Sequence, residues 1–148
     1  MVKYESITAI VPFYNEETYI EESLTRLIKT DLFSEIILVN NKSSDSSVEI
    51  VSKYLLEYSH VRLINAVEKE GKGYAVLEGV KQTKSTHVIV HDADLEYFPE
   101  DIKEMLEIAI NAGAKDCTSF PDIHEIISEK EDFYKVKSEI EKKIDNFI

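Results

Sequence analysis

The 148-residue sequence contains a single cysteine, only four glycines and only three prolines. A lone cysteine, Cys117, excludes an intramolecular disulfide and is interpreted as a structural side chain in a reducing compartment. The scarcity of glycine and proline, with 43% hydrophobic and 31% charged residues, excludes a disordered or low-complexity chain. We therefore expect a folded chain that needs no disulfide or structural metal.

Long apolar runs and positive charge are also scarce. No run approaches the roughly 20 apolar residues that cross a bilayer, and residues 1–5 lack the apolar core of a signal peptide, so we expect a cytoplasmic protein. The net charge of −12 argues against nucleic acid or an anionic membrane as partner, because both require a basic surface. It also predicts that a diphosphate ligand needs a metal cation to relieve repulsion.

Four short β-branched runs alternate with amphipathic segments. The runs are nearly continuous in apolar residues, as strands buried on both faces are, and they are residues 7–11, 35–39, 61–65 and 87–91. Apolar residues at helical spacing follow each of the first three runs. A fourth helix is predicted to begin at Pro99 and stop at Gly113, and Ser46 with Glu49 matches a capping box. This order predicts an α/β three-layer sandwich with a mainly parallel sheet.

The chain from Pro121 onward has a different pattern, with a fifth strand near residues 115–119 only weakly indicated before it. Apolar residues recur every seven positions, at Ile126, Phe133, Ile140 and Phe147, which predicts one long helix or two shorter ones. We divide the chain into a core at residues 1–120 and a helical extension at residues 121–148. The extension is predicted to pack on the core or to form an interface with a second copy or a partner chain.

Polar residues gather in the loops after the predicted strands, which is where parallel sheets bind ligands. Asp92 and Asp94 end an apolar strand, and two carboxylates so spaced can face Mg²⁺ or Mn²⁺ bridged to a diphosphate, although the spacing alone also fits a solvated turn. Lys72 lies between two glycines that open a helix, which suits either phosphate or a surface turn. Tyr14 can stack on a base or pack, and Asn40 can pair with a base edge or close an Asx turn.

Four segments between residues 7 and 102 resemble family 2 glycosyltransferases, most of all the dolichyl- or polyprenyl-phosphate mannose and glucose synthases. They are ITAIVPFYNEE from Ile7, IILVNNKSSDSS from Ile36, EGKGYAVLEG from Glu70 and HDADLEYFPEDI from His91. The resemblance implies that residues 1–120 form a nucleotide-sugar-binding core with the Rossmann-like GT-A fold of nucleotide-diphospho-sugar transferases.

The same resemblance implies two groups of site residues. The nucleotide-sugar group is Pro12, Tyr14, Glu16, Asn40, Lys72 and Asp92. The metal group is Asp94 as principal ligand, with Asp92 and Glu96, and the metal is Mn²⁺ or Mg²⁺. Asn40 stands where the family usually has Asp, so an uncharged amide would face the nucleobase, and the catalytic base is not identified.

The implied reaction transfers a sugar from a UDP- or GDP-linked donor to an acceptor hydroxyl. Nothing after Pro121 resembles the family's acceptor-binding half, so the alternative is a noncatalytic nucleotide-sugar binding module completed by a partner chain. A nucleotidyltransferase is a third reading, but its usual Gly-, Arg- and Lys-rich first loop is replaced here by residues 12–15. A membrane-lipid acceptor, implied by the resembled branch alone, finds no support in the charge or hydrophobic pattern.

Overall fold

The computed structural model describes residues 6–66, 71–96, 98–119 and 124–144. The chain divides into two compact units, of which the larger is Tyr4–Tyr97 and the smaller is Phe98–Ile148 with Met1–Lys3. Sequence predictions at Glu70, Pro121 and Phe147 lie outside the described residues. No helix in the described ranges has the length and apolarity to cross a bilayer.

The larger unit contains a four-stranded parallel sheet. In sheet order its strands are β3 (Val61–Asn65), β2 (Glu35–Asn40), β1 (Ile7–Phe13) and β4 (His87–Val90). Three helices connect them: α1 (Ile20–Lys29), α2 (Ser47–Glu57) and α3 (Lys72–Gln82). The predicted α/β class and parallel sheet are confirmed. β1 and β2 are buried along almost their whole length, as apolar strands covered on both faces are, whereas the edge strand β4 leaves Val88 and Val90 exposed.

The side chains of β1 and β2 point alternately to the two faces of the sheet, and the core therefore has two layers. One face carries Ala9 and Leu38 and is covered by α1 and α2, whose buried residues include Leu24 and Val51. The other face carries Ile10, Ile37 and Val39 and is covered by α3 through Ala75. Because side chains of a strand point alternately to its two faces, a continuous apolar strand supplies both layers at once.

Gly79 sets how closely α3 lies on the sheet. A Cβ built at this position would lie 2.6 Å from Cγ2 of Ile10, a side chain with no exposed surface. The absence of a side chain therefore lets the helix approach the middle of β1, and with it the first residue of the helix, Lys72, is placed near the carboxyl ends of the strands.

The beginning of α2 differs from its predicted capping box. Ser46 is the N-cap residue, but its side chain makes no capping hydrogen bond. Asp45 replaces it: its Oδ1 accepts from the backbone N–H of Ser47 at 3.0 Å and from the Ser47 hydroxyl at 2.6 Å. The capping box prediction is wrong because a carboxylate one residue earlier satisfies the helix start.

The smaller unit contains α4 (Pro99–Ala112), β5 (Asp116–Ser119), β6 (His124–Ile127) and α5 (Phe133–Glu141). The predicted start and stop of α4 are confirmed, with Pro99 in its first turn and Gly113 left-handed at φ 89°. β5 and β6 pair antiparallel in a sheet of their own.

The helix predicted from apolar residues spaced by seven positions is only partly present in this unit. Ile126 lies in β6, and helix begins only at Phe133, so the prediction of helix throughout the described part of residues 121–148 is wrong there. Val136 and Ile140 of α5 are buried in a cluster with Ala112 of α4, and both helices belong to the smaller unit. Backbone pairing with β5 outweighs a helical pattern that has only one apolar residue per two turns.

Candidate functional site

A cavity of about 310 Å³ lies within the larger unit at the carboxyl ends of β1 and β4. Residues after these strands, after β2 and at the start of α3 line it. They are Pro12, Phe13, Tyr14, Glu16, Asn41, Lys72, Asp92, Ala93 and Asp94. The cavity therefore lies where parallel sheets bind ligands, at the strand ends where the loops of separate βα units meet.

The loops that follow β1 and β2 are held together by backbone-to-side-chain hydrogen bonds. The N–H of Glu16 donates to the Ser47 hydroxyl at 2.8 Å, and the N–H of Glu17 donates to Asp45 at 3.0 Å. In the opposite direction, the N–H of Ser44 donates to Asn15 Oδ1 at 2.8 Å. Because each loop satisfies backbone groups of the other, the cavity wall at Glu16 is fixed by the start of α2.

Asp45 accepts hydrogen bonds from Ser47 and from the backbone of Glu17, and the pKa of its carboxyl reflects them. Burial alone would raise the pKa of its carboxyl, but the hydrogen bonds from the Ser47 hydroxyl and from the backbone of Ser47 and Glu17 lower it below its ordinary value. The hydrogen bonds between the loops thus favour the ionised form of Asp45.

Negative charge is concentrated in the cavity. Burial raises the pKa of the Glu16 carboxyl above its ordinary value, and the charges of three aspartates raise it further. These are, in decreasing order, Asp94, Asp45 and Asp92. Of the described lining residues, three are acidic and Lys72 alone is basic, so this part of the site by itself repels a diphosphate.

Asp92 and Asp94 supply the hard oxygen donors that Mg²⁺ and Mn²⁺ prefer. Both line the cavity, and Asp94 Oδ1 also accepts from the backbone N–H of Glu96 at 3.1 Å, in a turn where Leu95 has φ 64°. The described residues contain no group of three His, Cys, Asp or Glu side chains that could hold a metal ion. Two carboxylates fit an ion whose other positions are filled by water and phosphate oxygens.

Lys72 provides the positive charge of the cavity. Its Nζ lies 2.5 Å from Asp92 Oδ2, while the lysine side chain is 61% exposed and the aspartate side chain 24% exposed. It is the first residue of α3, after Gly71, whose φ of 118° favours glycine. The cation is thus held at a helix start, where backbone N–H groups also favour anions.

The structure brings together six of the eight residues that the sequence placed in the site. They are Pro12, Tyr14, Glu16, Lys72, Asp92 and Asp94. Glu96 is exposed and is not part of the cavity wall. Asn40 is buried, its Nδ2 donates to Asn65 Oδ1 at 2.9 Å, and its Oδ1 accepts from the N–H of Ser43 at 2.8 Å, so it closes the turn that was its alternative reading.

Asn41, the residue after Asn40, lines the cavity. Its Oδ1 accepts from the N–H of Gly71 at 3.2 Å, which joins the loop after β2 to the start of α3. Asn41 is not among the predicted site residues because the resemblance assigns the nucleobase contact to Asn40, which is the last residue of β2. Asp45 was also missed, although an Asp shortly before a helix is a recognised capping signal.

Comparison with known proteins identifies relatives along most of the chain. A family model described as glycosyl transferase family 2 matches residues 8–142. The Bacillus subtilis protein named uncharacterized glycosyltransferase YkcC is 33% identical over 111 residues, covering 72% of this chain and 34% of that protein. The dolichol-phosphate mannosyltransferase of Saccharomyces cerevisiae is 32% identical over 105 residues, covering 68% of this chain and 39% of that protein.

Solved structures give the same result for the fold. A mannosyltransferase from Pyrobaculum calidifontis, in complex with GDP-Man and Mn²⁺, matches 63% of this chain and 28% of its own at 26% identity and TM-score 0.57. S. aureus TarS 1–349, in complex with UDP, matches 74% of this chain and 33% of its own at 27% identity and TM-score 0.62. These likenesses confirm a GT-A-like fold. The chain spans about a third of the length of these curated relatives.

Proposed function

We propose that this chain, which belongs to glycosyltransferase family 2, binds a UDP- or GDP-linked sugar together with Mn²⁺ or Mg²⁺ and forms the donor-binding part of a hexosyltransferase. The observation that supports this best is the cavity itself. It combines paired carboxylates, a lysine and an aromatic side chain at the carboxyl edge of a parallel sheet. Each of these features can serve one part of a nucleoside diphosphate: the carboxylates a metal bound to the phosphates, the lysine the phosphates themselves, and the aromatic ring the base or ribose.

The charge balance is the physical reason for the metal. Glu16, Asp92 and Asp94 together would repel a diphosphate, and Lys72 cannot offset three carboxylates. We propose that Asp94 and Asp92 hold the ion. When bound, the ion supplies positive charge that stabilises the departing nucleoside diphosphate.

The chain's own residues would bind and orient the donor. Lys72 would lie along the diphosphate, and the half-exposed ring of Tyr14 offers a face for the base or ribose. Asn41 lines the cavity after β2, on the far side of β1 from the two aspartates, which suits the nucleoside end of the donor. Adjacent strands are about 4.8 Å apart, so the two strand spacings that separate the end of β2 from the end of β4 match the length of an extended nucleotide.

The proposed donor site does not include an acceptor site or a catalytic base. The relatives are about three times as long as the region that matches this chain, and the proposed role of the cavity is donor binding alone. A noncatalytic nucleotide-sugar binding module, completed by further polypeptide, is therefore the second candidate function. Turnover distinguishes the two, because the module would bind the donor without sugar transfer or hydrolysis.

Isothermal titration of the purified protein with UDP, GDP and their sugar conjugates, with and without Mn²⁺, tests the proposal. We expect metal-dependent binding of one base, weakened by at least roughly tenfold in Asp94→Ala because a metal ligand is lost. Asp101→Ala is the matched control, since it removes the same exposed charge from α4, outside the cavity. If no nucleotide binds the wild-type protein with Mn²⁺, the proposed function is wrong.

A further inference from the structure

We propose that Lys72 competes with the divalent cation for Asp92 and moves to the diphosphate when the nucleotide binds, so that metal and nucleotide bind cooperatively. The proposal rests on the proposed function for its second step, the contact with diphosphate. Its first step, the competition for Asp92, rests on the ion pair seen in the structure and on the proposed binding of the cation by Asp92 and Asp94.

The competition follows from where the ammonium lies. Nζ of Lys72 is 2.5 Å from Oδ2 of Asp92, inside the cavity that both residues line. An ion held by Asp92 and Asp94 would need that carboxylate and would lie near a second positive charge. Lys72 therefore opposes binding of a metal alone, both by using an Asp92 oxygen and by electrostatic repulsion.

Lys72 is able to leave this position. Its side chain is 61% exposed, and an ammonium on a four-carbon stem has rotatable bonds that let it reach a new partner without movement of α3. A diphosphate in the cavity would offer it several anionic oxygens, which form charge-assisted hydrogen bonds with lysine. The release of Asp92 then favours the metal, while the metal offsets the carboxylates that repel the nucleotide.

Cooperativity is the consequence. If nucleotide draws Lys72 away from Asp92, it raises the affinity for the metal, and by linkage the metal raises the affinity for nucleotide by the same factor. The basic residue at the start of α3 would thus prevent tight occupation of the site by a metal without donor.

The test uses one variant in two titrations of opposite expected sign. Lys72→Met should bind Mn²⁺ alone roughly two- to fivefold more tightly than wild type, the size expected for an exposed ion pair. In saturating Mn²⁺, the same variant should bind the preferred nucleoside diphosphate roughly tenfold more weakly, because a charged contact to phosphate is lost. Free Mn²⁺ is followed by electron paramagnetic resonance, and the nucleotide by calorimetry.

Lys81→Met is the matched control. It lies on the same helix and removes the same charge, but its ammonium pairs with Glu78 at 2.7 Å, and it does not line the cavity. Both of its affinities should stay near wild type, apart from a small effect of net charge. Lys72→Arg keeps a cation at the site and should bind Mn²⁺ alone no more tightly than wild type.

The outcomes separate this inference from the proposed function. A merely structural role of Lys72 would weaken both affinities, so a Mn²⁺ affinity of Lys72→Met that is unchanged, weaker or undetectable overturns the inference. Failure of wild type to bind any nucleotide overturns the proposed function and, with it, the transfer to phosphate. Tighter Mn²⁺ binding by the variant would still support the competition for Asp92.

Discussion

Gly79→Ala tests how α3 is positioned on the sheet. The new Cβ would lie 2.6 Å from Cγ2 of Ile10 and 3.2 Å from its Cγ1 and Cδ1. Ile10 is fully buried in the middle strand pair, and Cγ2 branches directly from its Cβ, so rotation of the end of the side chain cannot remove the contact. Either α3 or the strand must shift.

The magnitude follows from two opposing effects. An added methyl group in a packed core destabilises by about 1–3 kcal/mol, and the 2.6 Å contact places this case in the upper part of that range. Alanine is a better helix former than glycine, which returns about 0.5–1 kcal/mol. We therefore expect a net loss of about 1–2 kcal/mol in the free energy of unfolding.

Urea denaturation followed by circular dichroism measures the loss, as a midpoint lower by roughly 0.5–1 M. Gly73→Ala is the matched control on the same helix, where the added Cβ meets no atom within 4 Å. It should leave stability unchanged or raise it by up to about 0.5 kcal/mol. A Gly79→Ala protein as stable as wild type would refute the close approach of α3 to β1.

Two further predictions concern single groups. Ser47→Ala should lower the unfolding free energy by about 1–3 kcal/mol in thermal or urea denaturation, because the N–H of Glu16 and the carboxylate of Asp45 both lose a buried partner; an unchanged midpoint would contradict the loop pairing. Burial, and secondly the charge of Asp116, raises the pKa of the Cys117 thiol to about 11. Its reaction with a disulfide reagent should therefore be slow at pH 8 and should accelerate up to pH 11, and a rate that levels off near pH 9 would contradict the raised pKa.

The parallel sheet was predictable because each of its strands is a short apolar run bounded by polar loops. The limits of the predicted runs differ from those of β1 to β4 by no more than two residues: β1 extends through Phe13, β2 extends through Asn40, and β4 ends one residue earlier, at Val90. The smaller unit was less predictable. Ile126 and Phe133 fit one heptad pattern, but one pairs in a hairpin and the other starts a helix, and periodicity cannot show pairing between segments.

Six of the predicted site residues line the cavity, and they lie at or shortly after the ends of β1 and β4 or at the start of α3. Asp92 and Asp94 follow β4 and were located from the sequence, whereas Asn41 lines the cavity but is not among the predicted residues, because the resemblance assigns that role to its neighbour Asn40. The hydrogen bonds from the N–H of Ser44 to Asn15 and from the N–H of Glu17 to Asp45 could not be predicted, since they depend on which two loops become neighbours. The order of the strands and helices along the chain does not show which loops become neighbours.

Strand order explains why Lys72 reaches Asp92 although their strands are at opposite edges of the sheet. β3 and β4 are the two edge strands, so α3 must cross the whole sheet to connect them. Gly79 lets the helix lie directly on β1 as it crosses, and its first residue is thereby held over the strand ends that carry the aspartate. Lys72, at the start of the helix that follows one edge strand, thereby meets a carboxylate in the loop after the other edge strand. The packing of α3 and the electrostatics of the cavity are therefore coupled, and a change that lifts the helix from β1 should weaken nucleotide binding as well as folding.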